Sequence, residues 1–166
     1  MKSRTVLLIG LAAVITLALL IALTAALTPE NTNPAFATAV AFVNAAAGGD
    51  DAAAMPLLTP AMQEWVRANC PNGSVAACAQ GYTPPEWGGL LRAVFRRATP
   101  DGPAWDVDII ATYAQGTGFS GVCIYNRVEL DAAGEWRVAG WAGFVHCGDP
   151  ASRGMASNPD APNRAP

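Results

Sequence analysis

Four cysteines, Cys70, Cys78, Cys123 and Cys147, and a single histidine, His146, carry the sharpest chemical potential in this chain of 166 residues. In an oxidising space four cysteines suit two disulfides, for which three connectivities are open. The segment CPNGSVAAC, Cys70 to Cys78, has the turn residues to close on itself. A lone neutral histidine can serve as a base or simply sit as an amphipathic residue at a strand end. Without a second histidine, and with the cysteines oxidised, no zinc ligand set is assembled. Ser74 and Ser120 lack a nucleophile-elbow context, and the chain has no glycine-rich phosphate loop. No metal and no cofactor is expected.

Oxidised cysteines imply a compartment, and the N-terminus suggests how the chain would reach it. From Thr5 to Leu27 the run TVLLIGLAAVITLALLIALTAAL has no charged side chain. As a helix it would span about 34 Å, enough for a hydrocarbon core of about 30 Å. The sequence therefore predicts a single-pass transmembrane helix contacting the membrane through residues 5–27. Lys2 and Arg4 precede the run, and Pro29, Glu30 and Asn31 follow it. The positive-inside rule then puts the N-terminus in the cytoplasm and the C-terminal domain outside it. The alternative is a signal peptide cleaved near Thr24-Ala25-Ala26, although the apolar run exceeds the usual length of such a region. The expected organisation is a stub and anchor over 1–28, one domain over 29–148 and a tail over 149–166.

Within the domain, Asn33-Pro34 is a helix start, and Phe36, Val40, Val43 and Ala47 form an apolar stripe that Gly48-Gly49 ends. Asp50 or Asp51 caps a second helix through Ala52 to Leu58, and Thr59-Pro60 opens a third over Ala61 to about Ala68. Cys70 to Gly89 is rich in Gly and Pro and reads as a loop. The period then changes to two. Leu91, Ala93 and Phe95 alternate with Arg92 and Arg96 before the turn Thr99-Pro100-Asp101-Gly102. Beyond it Trp105, Val107, Ile109, Ala111 and Tyr113 alternate with Asp106 and Asp108, which should face water. A second hairpin runs from Phe119 to Leu130 and from Glu135 to about His146 around Asp131–Gly134. The fold class is α+β, about three helices on a four-stranded antiparallel sheet. The last segment, GDPASRGMASNPDAPNRAP, has little to bury and is expected to be disordered.

Strand register restricts the disulfides. A regular second hairpin with Leu130 opposite Glu135 puts Cys123 opposite Ala142, and Cys147 lies about 16 Å further along on the other face. A disulfide needs Cα atoms within about 7 Å. Either Cys70 and Cys78 both cross to the sheet, or they pair locally while a bulge or bend returns Cys147 to Cys123. The turn residues favour the local loop and leave the other pair open.

The run VNAAAGGDDAAAMPLLTP, Val43 to Pro60, with RRATPDG from Arg96 and LDAAGEWRVAGW from Leu130, resembles the nuclear-transport-factor-2-like superfamily. The resemblance covers most of Pro34 to Cys147 and implies a cone fold, in which a curved sheet wraps a helical hairpin around an apolar pocket. Superfamily enzymes that shift double bonds or dehydrate substrates place Asp, His and Tyr in that pocket. His146, Tyr113 and Tyr125 are the catalytic candidates that follow from it, Tyr113 being on an apolar face where aromatics are more often core.

The formal charge is −3, and with no block of Lys or Arg a nucleic-acid partner is not expected. The first functional expectation is a non-catalytic extracytoplasmic module that binds a small apolar ligand or a protein partner in or beside the cone. An isomerase- or dehydratase-like enzyme is the second, and a structural component of an envelope complex the third.

Overall fold

The computed structural model describes residues 2–27 and 33–166. Among them are five α-helices and one four-stranded antiparallel sheet. The helices are α1 (Lys2–Ala26), α2 (Pro34–Gly48), α3 (Asp51–Ala54), α4 (Pro60–Asn69) and α5 (Val75–Tyr82). The strands are β1 (Leu90–Asp101), β2 (Ala104–Tyr113), β3 (Val122–Leu130) and β4 (Trp136–His146), adjacent in that order. The expected domain boundary at residues 28–29 and the polar flank Pro29–Asn31 lie outside the described residues.

The expectation of a membrane-spanning anchor over 5–27 is corrected. Among the described residues no helix is long and apolar enough to cross a membrane. The side chains described in α1, from residue 8 to residue 24, are all exposed. None of them joins the core of the domain.

Local chemistry explains the other helix boundaries. Asn33 accepts the Ala35 N–H at 3.0 Å ahead of Pro34, and the N–H groups of Gly49 and Asp50 close the far end of α2 on Ala46 and Ala45. The buried stripe of α2 is Ala35, Ala39, Phe42, Val43 and Ala46, with Phe36, Val40 and Ala47 on its flanks. The expected stripe is thus rotated by about one position, because a helix so rich in alanine has little side-chain contrast to set its rotation. The second helix stops at Ala54 and tightens into a 3₁₀ turn over Met55–Leu57, where Pro56 interrupts it. Thr59 caps α4 as expected. The stretch expected as loop contains α5, which Ser74 caps through the Ala77 N–H at 2.9 Å. Asp51 also accepts the Ala76 N–H at 2.9 Å, tying α3 to the first turn of α5.

The sheet turns one face to α2, α4 and α5. That inner face carries Val107, Ile109, Ala111 and Tyr113 of β2, Val122, Ile124 and Val128 of β3, and Val138, Trp141 and Phe144 of β4. The first hairpin is tighter than expected, since Asp101 pairs with Ala104 and only Gly102-Pro103 turn. A register shift between Leu90 and Arg92 takes Leu91 off the apolar face, leaving it 60% exposed. In the second hairpin Leu130 pairs with Trp136, and two bulges each let β4 gain a residue, at Arg127/Val128 and at Cys123/Ile124. At the second bulge Phe144 and Gly143 both adopt positive φ, and a Cβ on Gly143 would overlap the Cys123 carbonyl.

The bulges settle the cysteine question left open by the sequence. Cys123 now faces Val145, so Cys147, two residues on, lies on the same face. Cys123 and Cys147 form a disulfide with Cα atoms 5.0 Å apart, and Cys70 and Cys78 form the other at 5.2 Å.

The tail is not disordered. Met155 and Ala161 pack on Cys123, Tyr125 and Ala142 against the outer face, and residues 162–165 run along the free edge of β4. There the Gly143 N–H donates to Pro162 at 2.7 Å, the Ala165 N–H to Trp141 at 2.9 Å, and the Asn163 amide to Gly143 at 2.8 Å. Further along, the Thr59 N–H donates to Val138 at 3.0 Å, so the edge is covered along most of its length. The segment buries few side chains, as its composition implies. Backbone hydrogen bonds to an unpaired strand hold it, and a tally of apolar residues does not register those.

Candidate functional site

Helix α4 and helix α5 diverge around the Cys70–Cys78 loop, and the tail returns beside them along the β4 edge. Between the three lies an open cleft of about 400 Å³, walled by Trp65 and Asn69 of α4, Ala77 and Tyr82 of α5, and Asn163 of the tail. Each aromatic wall also touches the core: Trp65 packs edge-on against Trp141, ring centroids 5.6 Å apart, and Tyr82 lies 5.3 Å from Phe144. Arg164 also borders the cleft. Its guanidinium donates to the carbonyls of Asn158 and Met155 and rests 5.7 Å from the Tyr125 ring centroid on the outer face. The cleft is therefore aromatic, and its one charged lining residue, Arg164, is engaged with carbonyls of the tail.

Behind it, large aromatic side chains pack on the inner face of the sheet. Trp141 is 1% exposed and packs on Phe42 at 5.6 Å, while Trp87 packs on Tyr113. Two polar groups are enclosed here without hydrogen-bond partners, the Trp141 Nε1–H and both ends of the Asn126 carboxamide. Asn126 stands directly opposite Trp141 in the β3–β4 register and is 0% exposed. A buried unpaired group costs about 1–3 kcal/mol, so this polar spot in an apolar wall is anomalous. The sequence held a signal for it: Asn126 alternates with Ile124 and Val128 on a strand face that is otherwise apolar.

The three catalytic candidates are not brought together. Tyr113 is on the inner face with its hydroxyl unpartnered, and burial pushes its pKa up to about 12. Tyr125 is on the outer face and donates to Asp106 at 2.7 Å; burial first, then the carboxylate, raises its pKa. His146 is half-buried at the end of β4, where its Nδ1 accepts the Gly148 N–H at 3.2 Å, and it lines none of the three clefts described.

Asp106 and Asp108, expected to be solvated, are largely covered instead, with side chains 17% and 18% exposed. Asp108 pairs with Arg97 at 2.5 Å, and Arg127 reaches Asp101 and Glu129 at 2.7 Å and Asp106 at 3.4 Å. Arg97, Asp106 and Asp108 line a polar cleft of about 270 Å³ whose other wall includes Ser152 and Ser157 of the tail. Since the tail was expected to be disordered, nothing in the sequence would have covered them. Among the described residues no cluster of His, Cys, Asp or Glu is arranged to hold a metal ion.

All three tyrosines hold their protons more tightly than an exposed phenol, whose pKa is 10.0. Above about pH 10 the unfolded chain sheds protons that the native chain keeps, so stability is intact below that pH and falls as pH rises toward 12. The expected slope is about 1.4 kcal/mol per pH unit for each tyrosine that differs fully between the two states. Urea midpoints measured across this window should fall, and Tyr113→Phe should flatten the decline. Phenolate absorbance appearing near pH 10 in a still-folded chain would contradict the burial assigned here.

Comparison with protein-family models, with curated proteins and with solved structures finds no match for this chain.

Proposed function

We propose that residues 33–166 form a non-catalytic binding module of an oxidising, extracytoplasmic space, and that its recognition surface is the Trp65–Tyr82 cleft beside the core rather than a cavity within it. The observation that carries the reading is the contrast between a filled interior and an open aromatic cleft. Flat apolar walls with amide groups at the rim suit a flat apolar group, borne by a small molecule or by a protein partner. The two disulfides support the compartment, because such bonds persist where thiols are not kept reduced. The order of elements, a helical opening followed by antiparallel hairpins, supports a relationship to the nuclear-transport-factor-2-like fold with its cone packed solid. An isomerase reading draws less support, since Tyr113 and Tyr125 occupy opposite faces of the sheet.

The test is a titration of the oxidised chain with small aromatic compounds and aromatic-containing peptides, followed by tryptophan emission. Trp65→Ala should weaken any ligand found by about tenfold, or about 1.4 kcal/mol. Binding that is indifferent to both Trp65→Ala and Tyr82→Ala would move the site elsewhere and overturn the proposal.

A further inference from the structure

The Cys123–Cys147 bridge has two unlike sulfurs. Arg96 of β1 reaches across β2 and donates from Nη1 to the Cys123 Sγ at 3.3 Å. Among the described residues this is the only side-chain hydrogen bond that Arg96 makes, while the neighbouring carboxylates of Asp108 and Asp106 are taken by Arg97 and Arg127. A disulfide sulfur is a weak acceptor, so the guanidinium gains little from the closed bridge. The same sulfur as a thiolate is an anion, and an adjacent arginine stabilises it. The contact thus favours the opened bridge. Access differs as well, Cys123 being 2% exposed and Cys147 half-buried in the turn that follows β4. The Cys70–Cys78 bridge has no comparable side-chain donor among the described residues. Finally, the tail leans on the asymmetric bridge: Met155 and Ala161 pack beside Cys123, and the Ser152 hydroxyl donates to the Cys147 carbonyl at 3.1 Å.

We propose that Cys123–Cys147 is a site of thiol–disulfide exchange, attacked at Cys147 by a dithiol, with Arg96 holding Cys123 as the leaving thiolate, and that its opening loosens the tail. One thiolate of the dithiol bonds to the Cys147 Sγ while the Cys123–Cys147 bond breaks, and Cys123 departs with the electron pair beside Arg96. The second thiol of the dithiol then attacks its own mixed disulfide and releases Cys147, which takes up a proton. The bridge has gained two electrons, and the dithiol leaves as a disulfide. Arg96 acts on the rate of the first step, since a leaving thiol whose pKa is lowered departs faster, by about threefold for each unit. Loosening the tail withdraws Asn163 from the aromatic cleft and Ser152 and Ser157 from the polar one. The exchange itself does not depend on either cleft binding a ligand.

The full oxidised chain is mixed with excess dithiothreitol without denaturant, samples are quenched with iodoacetamide, and the labelled cysteines are counted by peptide mass spectrometry. Cys123 and Cys147 should be labelled together while the sheet is still folded. Arg96 is exposed, so its replacement leaves the fold intact. Arg96→Leu should slow the opening of Cys123–Cys147 by at least about threefold and leave that of Cys70–Cys78 unchanged. Arg96→Lys, which keeps a cation, should stay within about twofold of the original rate. With glutathione in place of the dithiol and an acid quench, the mixed disulfide should form on Cys147. Once the bridge is open, limited proteolysis should cut within residues 149–166. A glutathione adduct mainly on Cys123, or an opening rate indifferent to Arg96→Leu, overturns the assignment. Slowing of both bridges alike by Arg96→Leu does so too, because it marks a general structural effect. Opening that occurs only at the rate of global unfolding in urea refutes exchange in the folded chain, and a tail still protected after opening refutes the release.

Discussion

Replacing Cys123 and Cys147 together by alanine is expected to lower stability by about 3.5 kcal/mol, seen as a fall in the urea midpoint with a steeper slope as the unfolded chain loses its cross-link. Their separation of 24 residues exceeds the 8 of Cys70 and Cys78. Chain entropy alone therefore makes this bridge worth more, against about 2.5 kcal/mol for the shorter loop. Position adds to that difference. The Cys123–Cys147 bridge lies under Met155 and Ala161, at the point where β4 ends and the tail begins. Its loss should free the tail as well as the hairpin. Limited proteolysis of the double variant should cut within residues 149–166 well before the sheet, while the Cys70/Cys78 double variant should keep the tail protected. Equal protection in both variants would show that edge pairing alone holds the tail.

Trp141→Ala is expected to cost about 3–5 kcal/mol, a large share of the 5–15 kcal/mol that holds a typical domain together. Trp141 is the largest of the fully buried side chains. It joins three layers, packing on Phe42 of α2 and Trp65 of α4 while its backbone carbonyl accepts the Ala165 N–H from the tail. Collapse cannot refill the space, because the neighbouring rings are themselves held by helices that pack elsewhere. Thermal unfolding should show the loss directly, and Trp141→Phe, which keeps a ring but drops the unpaired N–H, should lose less than half as much. A drop of under about 1 kcal/mol for alanine would mean that the indole is far less enclosed than its burial indicates.

These effects arise where short-range chemistry meets long-range placement, and the two were not equally legible. Asn33-Pro34, Asp50 and Thr59-Pro60 marked helix starts because a cap is settled within four residues. The alternation from Trp105 to Tyr113 marked an inner face because side-chain direction repeats every two residues. The α5 cap at Ser74 was equally local, and it was obscured by the prolines and glycines on either side. The positions of Asp106 and Asp108 failed for another reason. Their alternation does place them opposite the apolar face, but the tail residues that line the same cleft come from more than forty positions further along the chain.

By itself, the sequence determined the α+β order, the caps, the two hairpins and the suitability of the cysteines for disulfides, since each depends on residues close together in the chain. Tertiary structure alone decided that two bulges bring Cys147 onto the face of Cys123, that a polar tail pairs with the open edge of β4, and that Asn126 and Trp141 are enclosed on the inner face without hydrogen-bond partners. Those outcomes depend on register and on edge pairing between distant segments. A one-residue slip reverses every side chain of a strand, and no local pattern in β4 specifies where its extra residues fall.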